Sequence, residues 1–187
     1  MKYVSGLLLI CCGTSMLAAA ESVPLVVDRS QSRIEVDVKA TVGSFVGHLA
    51  DYDLSIEVDP VEKRVNSATL SFKFSDVETG EAKRDKHMHK WQDTEKFPDV
   101  SFILRRLEST VDGRFNASGQ LALHGQTQAI QFPVSVLQEG EEYLVEGEAV
   151  VDTQLFGLPI IRMFLALKVD PLVTVRMSVR GTATEPK

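Results

Sequence analysis

From residue 32 onward apolar and polar side chains alternate one by one, and this period of two constrains the fold more than any other feature of the chain. A strand puts successive side chains on opposite faces, so the pattern describes sheet with one buried and one solvated face. Ile34, Val36, Val38 and Ala40 alternate with Arg33, Glu35, Asp37 and Lys39. Tyr52, Leu54, Ile56 and Val58 alternate with Asp51, Asp53, Ser55 and Glu57, and Ala68, Leu70, Phe72 and Phe74 with Ser67, Thr69, Ser71 and Lys73. The pattern returns at Val100–Leu104, Phe115–Leu123, Ile130–Val136, Tyr143–Val151 and Val173–Val179, eight segments in all, with a weaker one at Pro24–Asp28. Asp112-Gly113, His124-Gly125 and Glu139-Gly140 mark turns between them. One apolar face per strand means one enclosed interior. Eight antiparallel strands close into a barrel without exposed edges, and a two-sheet sandwich shares the pattern; the barrel is the favoured expectation.

Two stretches interrupt the alternation. Residues 81–93 (EAKRDKHMHKWQD) contain no β-branched residue, Gly or Pro, and predict a short helix with Met88 and Trp91 on its buried side. Residues 156–167 (FGLPIIRMFLAL) are nearly all apolar and predict a lid or plug on the barrel, a short helix with Pro159 in its first turn.

The N-terminus reads as an address. Lys2 is followed by an apolar run from Val4 to Leu17 and by Ala18-Ala19-Ala20, the arrangement of a cleavable secretory signal. The expected organisation is a signal peptide over residues 1–20 and one domain over 21–187, exported to the periplasm. Cys11 and Cys12 are the only cysteines and leave with the signal, so disulfide and thiolate chemistry is not expected of the exported domain. With 44% hydrophobic and 25% charged residues and a net charge of −6, the chain is neither disordered nor a nucleic-acid binder by bulk charge.

Chemical motifs are sparse. The sequence contains no G-x-S-x-G elbow, H-E-x-x-H, phosphate loop or G-x-G-x-x-G, and its carboxylates are scattered over polar strand faces, so no enzyme is expected. Asp85, His87 and His89 are close in sequence. A His-x-His pair shares a face on a strand, but on a helix its members point about 200° apart, so no metal site and no cofactor is expected. A metal- or haem-associated periplasmic stress protein using the His87/His89 region is the alternative reading. The small inward residues Ala68, Ala117, Gly119, Gly147 and Ala149 would leave space inside the barrel, or would merely fit its taper.

The chain also resembles a known family. The strings V-D-R-S-Q-S-R-I (Val27–Ile34), I-E-V-D-P (Ile56–Pro60), T-G-E-A-K-R-D-K-H-M (Thr79–Met88), F-P-D-V-S-F (Phe97–Phe102), G-Q-L-A-L-H-G-Q-T (Gly119–Thr127) and F-G-L-P (Phe156–Pro159) occur in an order and spacing similar to the YceI-like, or polyisoprenoid-binding, proteins. The resemblance implies an all-β, eight-stranded antiparallel lipocalin-like barrel with an apolar tunnel for an isoprenoid-chain or similar amphiphilic lipid. The implied ligand-binding positions are Val36, Val38, Leu54, Ile56, Leu70, Phe72, Phe102, Phe115, Leu121 and Phe132, with Met88, Trp91, Phe156 and Leu158 near the mouth. The segment Gly43–His48 departs from the family pattern, since Leu49-Ala50-Asp51 intervene before Tyr52. Transient membrane contact and a dimer stay open.

Overall fold

The computed structural model describes residues 22–41, 43–163 and 167–183. The expected signal at 1–20 and part of the expected plug at 156–167 lie outside the described residues. The strands are β1 (Val23–Lys39), β2 (Ser44–Leu49), β3 (Asp53–Asp59), β4 (Arg64–Lys73) and β5 (Val77–Glu78), followed by helix α1 (Ala82–Gln92). After it come β6 (Asp99–Ser109), β7 (Phe115–Leu123), β8 (Gln126–Glu139), β9 (Glu142–Asp152), the short β10 (Arg162–Met163) and β11 (Leu167–Lys168), and β12 (Leu172–Ala183).

The sheet closes on itself. Neighbours run β12-β9-β8-β7-β6-β4-β3-β1, and β12 also pairs with β1, from Leu25↔Ala183 to Asp37↔Thr174. The result is a closed eight-stranded antiparallel barrel, and the sandwich alternative falls because that last pairing joins its two edges. β1 meets β3 only at Val23↔Val58 and Pro24↔Glu57; its C-terminal half takes β2 instead, from Glu35↔His48 to Lys39↔Ser44. β2 and β3 are thus two halves of one broken wall strand. At the break, Arg29 donates to the Asp51 carboxylate at 2.8 Å and to the Tyr52 carbonyl, and its guanidinium stacks over the Tyr52 ring.

The weak segment at 24–28 and the strong one at 34–40 belong to a single strand. They are joined through a bulge between Asp28 and Arg33, where the Asp28 carboxylate accepts from Ser30 and Gln31 and its carbonyl from the Ser32 hydroxyl. His124 and Gly125, at φ 50° and 70°, form the two-residue turn between Leu123 and Gln126, a geometry that needs positive φ at both positions and matches the twist of the strands. The wall is less tightly zipped in two places. β8 and β9 pair only from Val134↔Gly147 to Glu139↔Glu142, so residues 126–133 and 148–152 are not bonded to each other. β4 and β6 pair only from Thr69↔Ile103 to Lys73↔Asp99, so residues 64–68 and 104–109 border an unpaired seam.

Helix α1 forms where expected. Its start is fixed by Asp85, whose carboxylate accepts from the Thr79 amide at 3.0 Å and the Thr79 hydroxyl at 2.6 Å. The helix expected within 156–167 is corrected. The chain makes a single 3-10 turn at Thr153–Phe156, begun by Asp152 accepting from the Gln154 amide, and Gly157 at φ 77° ends it. Beyond it β10 and β11 pair as a small hairpin, Arg162↔Lys168 and Met163↔Leu167. A helix would need Gly157, Leu158 and Pro159 in sequence within its first turn, and the left-handed Gly157 rules that path out.

Candidate functional site

The barrel has two different ends. At one, Val23, Val58, Val65, Tyr143 and Ala183 pack together and close the interior. Asp59 is buried among them; its Oδ1 accepts from the Val61 and Glu62 amides, both at 2.9 Å. Burial, and then the charge of Asp59, pushes the Tyr143 phenol above its ordinary pKa. At the other end lie α1, the 3-10 turn and the segment that follows it. Trp91 Nε1 donates to the Pro159 carbonyl at 2.7 Å, which ties the helix to that segment.

Between the two ends runs a cavity of about 240 Å³. Val36, Val38, Leu54, Ile56, Leu70, Phe72, Phe102, Leu121 and Phe132 line it from the wall, and Met88 and Trp91 from the helix. Phe115, Phe156 and Leu158 do not line it. Phe115 sits low on β7, where it packs on the closed-end core. Phe156 and Leu158, 1% and 2% exposed, are folded into a separate core beside the mouth with Val100, Leu123 and Val151. The left-handed turn at Gly157 and the bond from the Leu158 amide to the Thr153 carbonyl draw them inward. The mouth is framed instead by Pro159, Ile160 and Ile161 and by Asp170 and Pro171.

Sequence reasoning missed several wall positions. Gly47 and Leu49 line the cavity from β2, a strand whose alternation is masked by a glycine at its central inward position. Val173, Val175 and Met177 of β12 line it as well, where alternation marks a strand without marking its depth on the cavity. The role expected of the small residues also divides. Ala68, Ala117 and Ala149 line the cavity. At Gly119, however, an added Cβ would stand 2.3 Å from the Phe102 ring, so the missing side chain is filled by an aromatic neighbour.

Chemically the cavity is almost featureless. Among its lining residues only Thr153 and Asp170 carry polar side chains beyond the indole nitrogen, and all three lie at the mouth end. Such a site can hold an apolar chain and can orient a polar group only at its entrance. A second hollow of about 510 Å³ lies on the outer wall between Arg33, Glu35, Arg114, Glu146 and Arg176. Arg176 there is held by Asp37 and Glu148.

The histidine cluster does not converge. Asp85 is engaged by Thr79, His87 is exposed, and His89 is half-buried on another side of the helix. Among the described residues no group of three or more His, Cys, Asp or Glu is placed to hold a metal ion. Nor is any helix among them long and apolar enough to cross a membrane.

A closed antiparallel barrel whose cavity is lined by apolar side chains, with polar groups among its lining only at one mouth, defines a class of small barrels that enclose an apolar space. The chain belongs to the YceI-like domain family, whose model matches residues 25–180. Among curated relatives, a UPF0312 protein of Pseudomonas putida is 27% identical over 137 residues, 70% of this chain and 71% of that protein. One from Pseudomonas syringae is 28% identical over the same shares. Among solved structures, BcnA of Burkholderia cenocepacia superimposes with a TM-score of 0.74 at 17% identity, covering 83% of this chain and 99% of that one. A polyisoprenoid binding domain from Saccharophagus degradans gives a TM-score of 0.64 at 15% identity, covering 88% and 100%.

Proposed function

We propose that this protein is an exported, non-catalytic carrier or sequestering protein that holds the hydrophobic tail of an isoprenoid or similar amphiphilic lipid in its barrel. The observation that carries the reading is the cavity wall, apolar from Val65 and Ala117 near the closed end to Met88 and Trp91 at the mouth. Each methylene buried there contributes about 0.8 kcal/mol, so a tail of roughly ten methylenes supplies about 8 kcal/mol before the cost of association is subtracted. The polyisoprenoid binding domain of Saccharophagus degradans, which shares the fold, supports a lipid of that kind. The signal-like residues 1–20, a domain spanning 21–187 and a periplasmic location belong to the same proposal. The test is mass spectrometry of organic extracts from protein purified from its native cell envelope. A reproducible single-tailed or isoprenoid lipid is the expected result, and a protein that is repeatedly empty and takes up no hydrocarbon overturns the reading.

A further inference from the structure

The two ends of the barrel differ in charge as well as in closure. The chain as a whole is acidic, with a net charge of −6, yet α1 at the mouth carries Lys83, Arg84, Lys86 and Lys90 against a single acid within the helix, Asp85, while Glu78, Asp93 and Glu95 are exposed on the segments beside it. Asp85 is turned inward onto Thr79, and Arg84 is spent on Glu81 and the Phe45 ring. Lys83, Lys86 and Lys90, spaced i, i+3, i+7, form one exposed stripe. Met88 and Trp91, which line the cavity, lie about 80–160° around the helix from it. Arg162 and Lys168 stand exposed across from each other in the neighbouring hairpin. The carboxylates of Asp152 and Asp170 at this end are drawn into local turns, accepting from the Gln154 and Leu172 amides at 3.0 Å each.

At the same end as this lysine stripe stand exposed apolar side chains. Leu155 is 61% and Leu172 48% exposed, and their segments are stitched together by the Thr153 amide and hydroxyl, both donating to the Pro171 carbonyl. Pro159 is exposed beside them. The closed end also presents apolar tips, Val61 and Val111, but its loops carry Glu62, Asp112, Glu139, Glu141 and Glu142 against Lys63, Arg64 and Arg114, an acidic excess. Exposed leucines flanked by cations match the boundary of an anionic bilayer, where apolar groups enter the acyl region and cations meet headgroups. The acidic end would be repelled from the same surface.

We infer that the protein docks mouth-first on an anionic lipid bilayer, with Leu155 and Leu172 inserted and the Lys83/Lys86/Lys90 stripe against the headgroups. The inference rests on the carrier reading and names the donor or acceptor surface for its lipid. The test is flotation of the purified protein with phosphatidylcholine vesicles with and without phosphatidylglycerol. Wild type is expected to float with the anionic vesicles, at least tenfold more than with the neutral ones, and to be released as salt rises. Lys83→Glu/Lys86→Glu/Lys90→Glu abolishes that preference, Leu155→Ser/Leu172→Ser lowers the bound fraction several-fold, and Val61→Ser/Val111→Ser at the other end leaves it unchanged. Failure of wild type to float, or equal loss in the closed-end variant, overturns docking. Uptake of tritiated palmitate from solution, measured on the same proteins, separates the two readings. Vesicle-binding variants that still take up palmitate in solution place their defect at docking. Flotation by a protein that never takes up palmitate keeps docking and sinks the carrier reading.

Discussion

Asp112, at the tip between β6 and β7, has a carboxyl held down to about 2, first by the Thr110 hydroxyl that donates to it and then by Arg114. A depressed folded pKa stabilises the fold above the ordinary value of 3.8, and the contribution fades as pH falls from there toward about 2. Carbon-detected titration is expected to give that midpoint for Asp112, and Thr110→Val to raise it toward 3.8. At the mouth, Trp91→Phe keeps a ring on the cavity but deletes the bond to Pro159. We expect a loss of about 1 kcal/mol in denaturant unfolding, with faster release of bound lipid. The side chains whose placement the sequence conceals share one physical reason. Alternation tells which face a residue takes but not how deep along the barrel it sits, so Phe115 reads as tunnel and packs below it. Phe156 and Leu158 depend on the single left-handed turn at Gly157, which no periodicity encodes.

Elements were legible to the extent that their pattern was regular. The wall strands and α1 stand where alternation and the gap in it put them. β2 was hidden because Gly47 occupies the position where an inward apolar residue would complete the pattern; its absent Cβ makes room for Val77 of β5, which approaches that point to 2.8 Å. β1 read as two pieces because its bulge interrupts the period. Small residues of the wall divide into those that border empty space and those that receive a neighbour, and substitution distinguishes them. Ala117→Trp on β7 projects into the cavity and is expected to abolish lipid uptake while costing about 1–3 kcal/mol from overpacking. On the same strand, Gly119→Ala meets the Phe102 ring and, at 2.7 Å, the Ile103 carbonyl, so it should lower the unfolding midpoint without selectively blocking uptake. Thermal melts paired with palmitate binding separate the two effects.

At the scale of the whole molecule, closure through β1 and β12 removes the free sheet edges, but the ring is not uniformly fastened. Along the seam, Val65, Ala68, Leu104 and Leu107 reach the cavity from strands that do not bond to each other there. Amides of residues 64–68 and 104–109 that face the seam are expected to exchange with deuterium well before those of β12, which is bonded to β9 along its length and to β1 on its other side, and equal protection of the two would refute a weak wall at that place. The chain's single tryptophan sits on the same cavity, at its opposite limit. Because no other indole contributes, ultraviolet emission from the unlabelled protein reports on this one position. Filling the barrel should move the emission maximum toward shorter wavelengths, so that loading and unloading can be followed in real time without attaching a dye.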